Sequence, residues 1–158
     1  MPDQLQPLPT ADRTLVHATR MTIRWGDMDA AGHVNNTVYF RYMEQARIDW
    51  MTAIGCAVDG SGGGGEGPVI VNAHCSFLRQ LKYPGEIEVL TYVGAPGRSS
   101  FQTMHVIRRL DAPEQPVAEG GAKVVWVNYA QEKSVPLAPQ IRAHLQPRLQ
   151  APPAPDAG

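Results

Sequence analysis

Arg24-Trp25-Gly26-Asp27-Met28-Asp29-Ala30-Ala31-Gly32-His33-Val34-Asn35-Asn36 is the stretch in which this chain concentrates its polar chemistry. A β-like run from Thr19 to Trp25 leads into it and a periodic run from Thr37 to Ile54 leads out, so it reads as a strand-to-helix connection. Gly26 and Gly32 allow backbone angles barred to other residues. Asn35, Asn36 and Thr37 are all good helix N-caps, which places the opening of a helix here. Such a helix start turns unpaired N–H groups and the positive end of a dipole toward whatever binds. The segment is the candidate active site.

Downstream, Tyr39, Met43, Ala46, Trp50 and Ile54 step by four, three, four and four, which predicts one buried helix face. At ~1.5 Å per residue the run from Thr37 to Ile54 is about 27 Å long, enough to cross a small sheet. Gly55 is its expected stop. The glycine tract Asp59–Gly67 lacks the Lys-Ser/Thr of a phosphate-binding loop and reads as a connector. From Pro68 the period becomes two. Val69, Val71, Ala73, Cys75 and Phe77 form one apolar face, and half-buried strands follow over Ile87–Val93, Ser100–Arg109 and about Val117–Tyr129. Gly120-Gly121 marks a bulge or bend in the last of them. One strand, one long helix and four strands joined by short turns predict an α+β fold: a meander-like antiparallel sheet with the helix on one face.

With 158 residues the chain is expected to form one domain, over residues 13–146, between a loose tail at 1–12 and a proline-rich disordered tail at 147–158 that follows a short helix from Gln140 to Leu145. A formal net charge of -1 excludes an electrostatic nucleic-acid or membrane binder. No apolar run reaches the ~20 residues of a transmembrane helix and residues 1–12 lack a signal-peptide core, so a cytoplasmic protein is expected. Cys56 and Cys75 have no metal-ligand spacing and read as unreactive buried thiols. The loop is no EF-hand, because Ala31 and Val38 stand where that loop wants acids. No metal site is expected.

Asp27-x-Asp29-x-x-Gly32-His33-Val34-Asn35-Asn36-x-x-Tyr39, with Glu44-x-x-Arg47 on the helix, resembles the hot-dog-fold acyl-CoA thioesterases of the 4-hydroxybenzoyl-CoA thioesterase type. The likeness covers about Arg20 to Tyr129. It implies a five-stranded antiparallel sheet wrapped around one long central helix, paired protomers with joined sheets, and active sites at the interface of a homodimer or homotetramer. It implies hydrolysis of an acyl-CoA to a free acid and coenzyme A, with no cofactor beyond the coenzyme A of the substrate. Asp29 falls on the family's catalytic aspartate, and the backbone oxyanion contact falls near Asn36. Of Arg98-Ser99-Ser100 only Arg98 matches the basic patch that meets coenzyme A phosphates, and the three are substrate-binding candidates on that ground.

Thioester hydrolysis needs a carboxylate as nucleophile or general base and donors fixed where the oxyanion forms. Asp29 can supply the first and the Asn36 N–H the second. Asp27 reads rather as a turn cap. His33 either orients the thioester or is a satisfied structural residue, and Asn35 and Asn36 fit capping better than chemistry. On the helix, Tyr39 and Glu44 are substrate-binding candidates, although Glu44 is equally placed to pair with Arg47. His17, His74, His105 and His144 read as structural or surface residues. Two other functions remain open: a hot-dog hydratase or dehydratase, whose Asp-x-Asn-Pro-type loop is not matched, and a non-catalytic acyl-binding module.

Overall fold

The computed structural model describes residues 12–56 and 65–145; most of the expected N-terminal tail, the body of the glycine connector and the C-terminal tail lie outside these. Helix α1 spans Asn36–Ala53, within a residue of its expected limits. It starts there because the Asn35 side chain accepts the Thr37 N–H at 2.9 Å. It stops because Gly55, at φ 79°, closes the end: its N–H bonds Thr52 O and the Cys56 N–H bonds Met51 O. The expected face is buried at Tyr39, Met43, Ala46 and Trp50, joined by Tyr42, Arg47 and Met51.

Strand β1 (Thr14–Thr22) precedes the helix; β2 (Glu66–Phe77), β3 (Glu86–Val93), β4 (Ser100–Arg109) and β5 (Pro116–Asn128) follow it. All pair antiparallel in the order β1-β3-β4-β5-β2. Only β3 to β5 therefore form a meander, since β2 crosses to the far edge beyond β5. A two-residue β6 (Lys133–Ser134) also pairs with β5, so that the described residues hold a sixth strand beside the five expected. The described residues end with α2 (Pro139–Leu145), where the sequence places a short helix.

Three local expectations need correction. The first strand lies earlier than Thr19–Trp25, because Trp25–Asp27 forms a 3₁₀ turn. There the Arg24 N–H donates to Asp27 Oδ2 at 2.9 Å, and a side chain that bonds nearby backbone competes with the sheet ladder. Gly120-Gly121 is no bulge: both residues stay in register with β4 and β2, and the β5 pairings slip instead at Ile70/Asn72 and Ile107/Arg108. The glycines supply space. A Cβ on Gly120 would stand 2.4 Å from His74 O and 2.8 Å from Met43 Sδ, so its absence lets α1 sit close on the sheet. Gly120→Ala is expected to cost ~1–3 kcal/mol as overpacking, read from the urea midpoint. Third, the apolar face expected on β2 is largely uncovered, with Val71 55% and Phe77 47% exposed. The slip after Ile70 breaks its alternation, and the strand stands at the sheet edge.

The core divides along the helix. Beneath the first half of α1, Tyr39, Tyr42, Met43 and Ala46 pack with Ile23, Ile87, Val89 and Ile107. Beneath the second half, Trp50 and Met51 pack with Phe101, Val124, Trp126 and Ile141. Between them lies a polar band: among the described residues, Arg47, Thr91, Thr103 and His105 are the buried polar side chains. Thr91 is paired with His105, and His105 with Gly120, across three neighbouring strands.

Candidate active site

The connection from β1 to α1 folds as the polar sequence dictates. The Asp29 N–H bonds His33 O at 2.9 Å and the Gly32 N–H bonds Asp29 O at 3.0 Å, a turn that holds Gly32 at φ 80°. Within it Asp29 Oδ1 accepts the Ala31 N–H at 2.9 Å, the side chain closing on backbone two residues on. Asp29 Oδ2 accepts Asn35 Nδ2 at 3.3 Å. Asn35 Oδ1 in turn accepts the Thr37 N–H at 2.9 Å and the Thr37 hydroxyl at 2.7 Å. One asparagine thus ties the carboxylate to the helix start, and those contacts fix which way its amide faces. A carboxylate has about four lone-pair sites, so both oxygens keep acceptor capacity for a ligand.

Asp29, His33, Asn35, Asn36 and Tyr39 line one open cavity of about 500 Å³, flanked on its other side by Phe77, Leu78, Arg79 and Gln80. The Asn36 N–H, at the first position of α1, makes no hydrogen bond among the described residues. It is available to an oxygen that carries developing negative charge, with the helix dipole behind it. Tyr39 is nearly enclosed; its ring meets Phe77 edge-on at 5.0 Å, and burial pushes its hydroxyl pKa up.

Asp27 has a different task. Its Oδ2 accepts the Tyr42 hydroxyl at 2.7 Å as well as the Arg24 N–H, and its carbonyl accepts the Asn35 N–H at 2.9 Å. Burial, then the bond to Asp27, raises the Tyr42 pKa, so the phenol stays a donor. This is the capping role the sequence assigns to Asp27, extended to a clamp between loop and helix. Tyr42→Phe is expected to cost ~0.5–1.5 kcal/mol in stability, measured by thermal melting, while thioesterase kcat changes less than for any substitution at Asp29.

The remaining candidates stand apart. Glu44 lies two turns further along α1, exposed, on the rims of other grooves. The expected Glu44–Arg47 ion pair is not formed among the salt bridges of the described residues. Arg47 instead lies on the buried side of α1, 8% exposed, at the edge of a cavity between α1 and β2. Arg98, Ser99 and Ser100 sit at the β3–β4 turn, where the carbonyls of Arg98 and Ser99 accept Leu137 N and Trp126 N. The Asp29 loop adjoins the Glu86 end of β3 and that turn its Val93 end, ~23 Å away at about 3.3 Å per residue. Conversely, Arg79 and Gln80 were not legible as site residues. The bond from Val34 N to Leu81 O brings them beside the loop, and Arg79 Nη1 is held by Pro116 O at 2.8 Å. Nothing in the local pattern around Arg79 announces it. Among the described residues no His, Cys, Asp and Glu group could hold a metal ion.

An antiparallel sheet packed on one central helix is the hot-dog fold, and the family match makes the chain a thioester hydrolase of that fold. Residues 23–145 match the Thioesterase-like superfamily, and the chain belongs to it. PA2801, a candidate thioesterase of Pseudomonas aeruginosa, is 38% identical with a TM-score of 0.77, over 82% of this chain and 98% of that one. The chloroplastic acyl-acyl carrier protein thioesterase ATL3 of Arabidopsis thaliana is 26% identical over 71% of this chain and 58% of its own length. A 1,4-dihydroxy-2-naphthoyl-CoA thioesterase from Synechocystis, 16% identical over 85% of this chain and 98% of that one, shares the fold at a TM-score of 0.76.

Proposed function

We propose that the protein hydrolyses acyl-CoA thioesters at this cavity, with Asp29 as nucleophile or general base and the Asn36 N–H receiving the oxyanion. The observation that supports this most is the shared cavity of Asp29 and the unpaired Asn36 N–H. The thioester carbonyl lies over the helix start, where the N–H and the dipole favour the negative charge that builds on oxygen. Asp29, held by Ala31 and Asn35, either attacks the carbonyl carbon or takes a proton from an attacking water. As the tetrahedral centre collapses the C–S bond breaks and coenzyme A leaves as a thiolate that is then protonated; where Asp29 is the base the free acid forms in the same step, and where it is the nucleophile water then hydrolyses the Asp29 anhydride to release the acid. His33 lines the same cavity and is placed to orient the substrate.

The uncovered edge strand supports a homo-oligomer. Val69, Ile70, Val71, Phe77 and Leu78 are all exposed on or just after β2, and an exposed apolar edge is a template for pairing. Joining two β2 strands covers it. In such a dimer Arg98, Ser99 and Ser100 serve the phosphates of coenzyme A bound at a site other than their own protomer's. Thiol release from a panel of acyl-CoAs tests the activity; enoyl-CoA absorbance without thiol release would favour a hydratase, and binding without either a non-catalytic module. Sedimentation is expected to show a dimer or tetramer, and Val71→Lys is expected to shift it toward monomer.

A further inference from the structure

Beside the catalytic cavity a second one, of about 230 Å³, opens between α1 and β2, lined by Phe40, Met43, Glu44, Arg47, Ile70 and Ala73 among others. The two share no lining residue but follow one another along α1 and β2. Asn36, Phe40, Met43 and Arg47 step by four, three and four along a single helix face, and β2 supplies Phe77 to the first cavity and Ala73 and Ile70 to the second. From Asn36 to Arg47 the helix rises ~16 Å, and the Arg47 side chain leans back toward the helix start.

Arg47 is the unexpected residue of the second cavity. It is only 8% exposed, it forms no ion pair among the described residues, and yet it lines an open cavity. A buried charge is costly unless something of opposite sign meets it. Beneath it, His105 gives no anion: the imidazole is fully buried, its Nδ1 lies 3.2 Å from the Thr91 hydroxyl, and its pKa is pushed down to about 3 by burial and then by Arg47. Glu44 is nearby, exposed at the rim, and acts on Arg47 only through space. With Arg41 also lining the cavity, the charge there sums to one net positive.

We infer that this cavity is a carboxylate-binding subsite, in which Arg47 receives an anionic group at the far end of the acyl chain. The inference rests on the thioesterase reading, because the acyl chain must enter this cavity from a carbonyl held at Asp29 and Asn36. It makes ω-carboxyacyl thioesters the substrate class. Phe40, Met43 and Ile70 cover the methylene stretch, and the planar guanidinium grips the terminal carboxylate through two hydrogen bonds.

The test compares adipoyl-, suberoyl- and sebacoyl-CoA with hexanoyl-, octanoyl- and decanoyl-CoA on the wild-type oligomer, alongside calorimetric titration with free suberate and octanoate. The expected result is a preference of roughly tenfold or more in kcat/KM for at least one carboxylated chain, the scale of one charged hydrogen-bonded contact. Arg47→Met is expected to collapse that ratio, and Arg47→Lys to keep part of it. Equal or inverted ratios in the wild type would overturn the subsite while leaving the thioesterase intact; the buried cation is then met by a carboxylate of a second protomer. If no acyl-CoA of either series is hydrolysed, the thioesterase reading fails for these substrates and calorimetry decides the subsite alone. Suberate binding that exceeds octanoate binding and needs Arg47 supports it, and no such difference refutes it. A wild-type comparison needs no variant, so a misfolded Arg47→Met does not blunt the result.

Discussion

Asp29→Asn is expected to lower kcat for thioester hydrolysis by ~10²–10⁴, the scale of a positioned acid-base group, with the fold and the oligomer unchanged. The substitution keeps the shape and removes the charge. The two groups that now donate to the carboxylate, Ala31 N–H and Asn35 Nδ2, cannot both be accepted by an amide, because its nitrogen is itself a donor. The loop is exposed at Asp29, so water takes up the contact that is lost and the melting temperature should move little. A general base and a nucleophile both need the anion, so either mechanism predicts the loss. Thiol release under saturating substrate, with circular dichroism on the same sample, checks it. A well-folded Asp29→Asn protein with wild-type turnover would show that the charge does no chemistry. If Asp27→Asn is the more damaging change to kcat at equal stability, the acids have been assigned the wrong way round.

The contrast between these two acids shows what a sequence can disclose. Two residues apart, they differ in partners that lie six and fifteen residues away: Asn35 for Asp29, Tyr42 for Asp27. Both partners are local, on the loop and the helix it feeds, so the capping reading of Asp27 was available from spacing alone. The same holds for α1, whose apolar period and flanking Asn35 and Gly55 fix its span without the rest of the chain. What was not available depends on encounters between distant segments. The far wall of the site at Phe77 to Gln80 reaches Asp29 only after β2 has crossed to the sheet edge. Gly120-Gly121 carries the same two letters whether the backbone bends or another atom needs the room, and only the position of Met43 and His74 decides. Arg47 is the clearest case. On a helical wheel it sits within reach of Glu44, but the helix is pressed against the sheet on that side, and Arg47 is covered there beside the cavity it lines. Local spacing predicts who can meet; packing decides who does.

Trp50→Ala is expected to destabilise the protein by ~3–5 kcal/mol, the range for deleting a large buried aromatic side chain. Trp50 is 1% exposed and meets the Phe101 ring at 5.9 Å, edge to face, in the cluster beneath the second half of α1. At ~2–4 °C per kcal/mol for a chain of this size, the melting temperature should fall by roughly 10 °C, seen by calorimetry. The proposed active-site end of the helix is packed by the other cluster, around Tyr39, Tyr42 and Met43, so kcat measured well below the melting temperature should stay near wild type. A large loss of kcat in the cold would mean that the two clusters do not hold their halves of the helix independently. Trp50→Phe separates volume from polarity. The Trp50 Nε1–H is buried with no acceptor among the described residues, a group whose desolvation costs ~1–3 kcal/mol. Phenylalanine keeps most of the ring packing and removes that donor, so its destabilisation is expected to fall well below half that of Trp50→Ala. Equal losses for the two variants would show that Nε1 has found an acceptor in the folded protein.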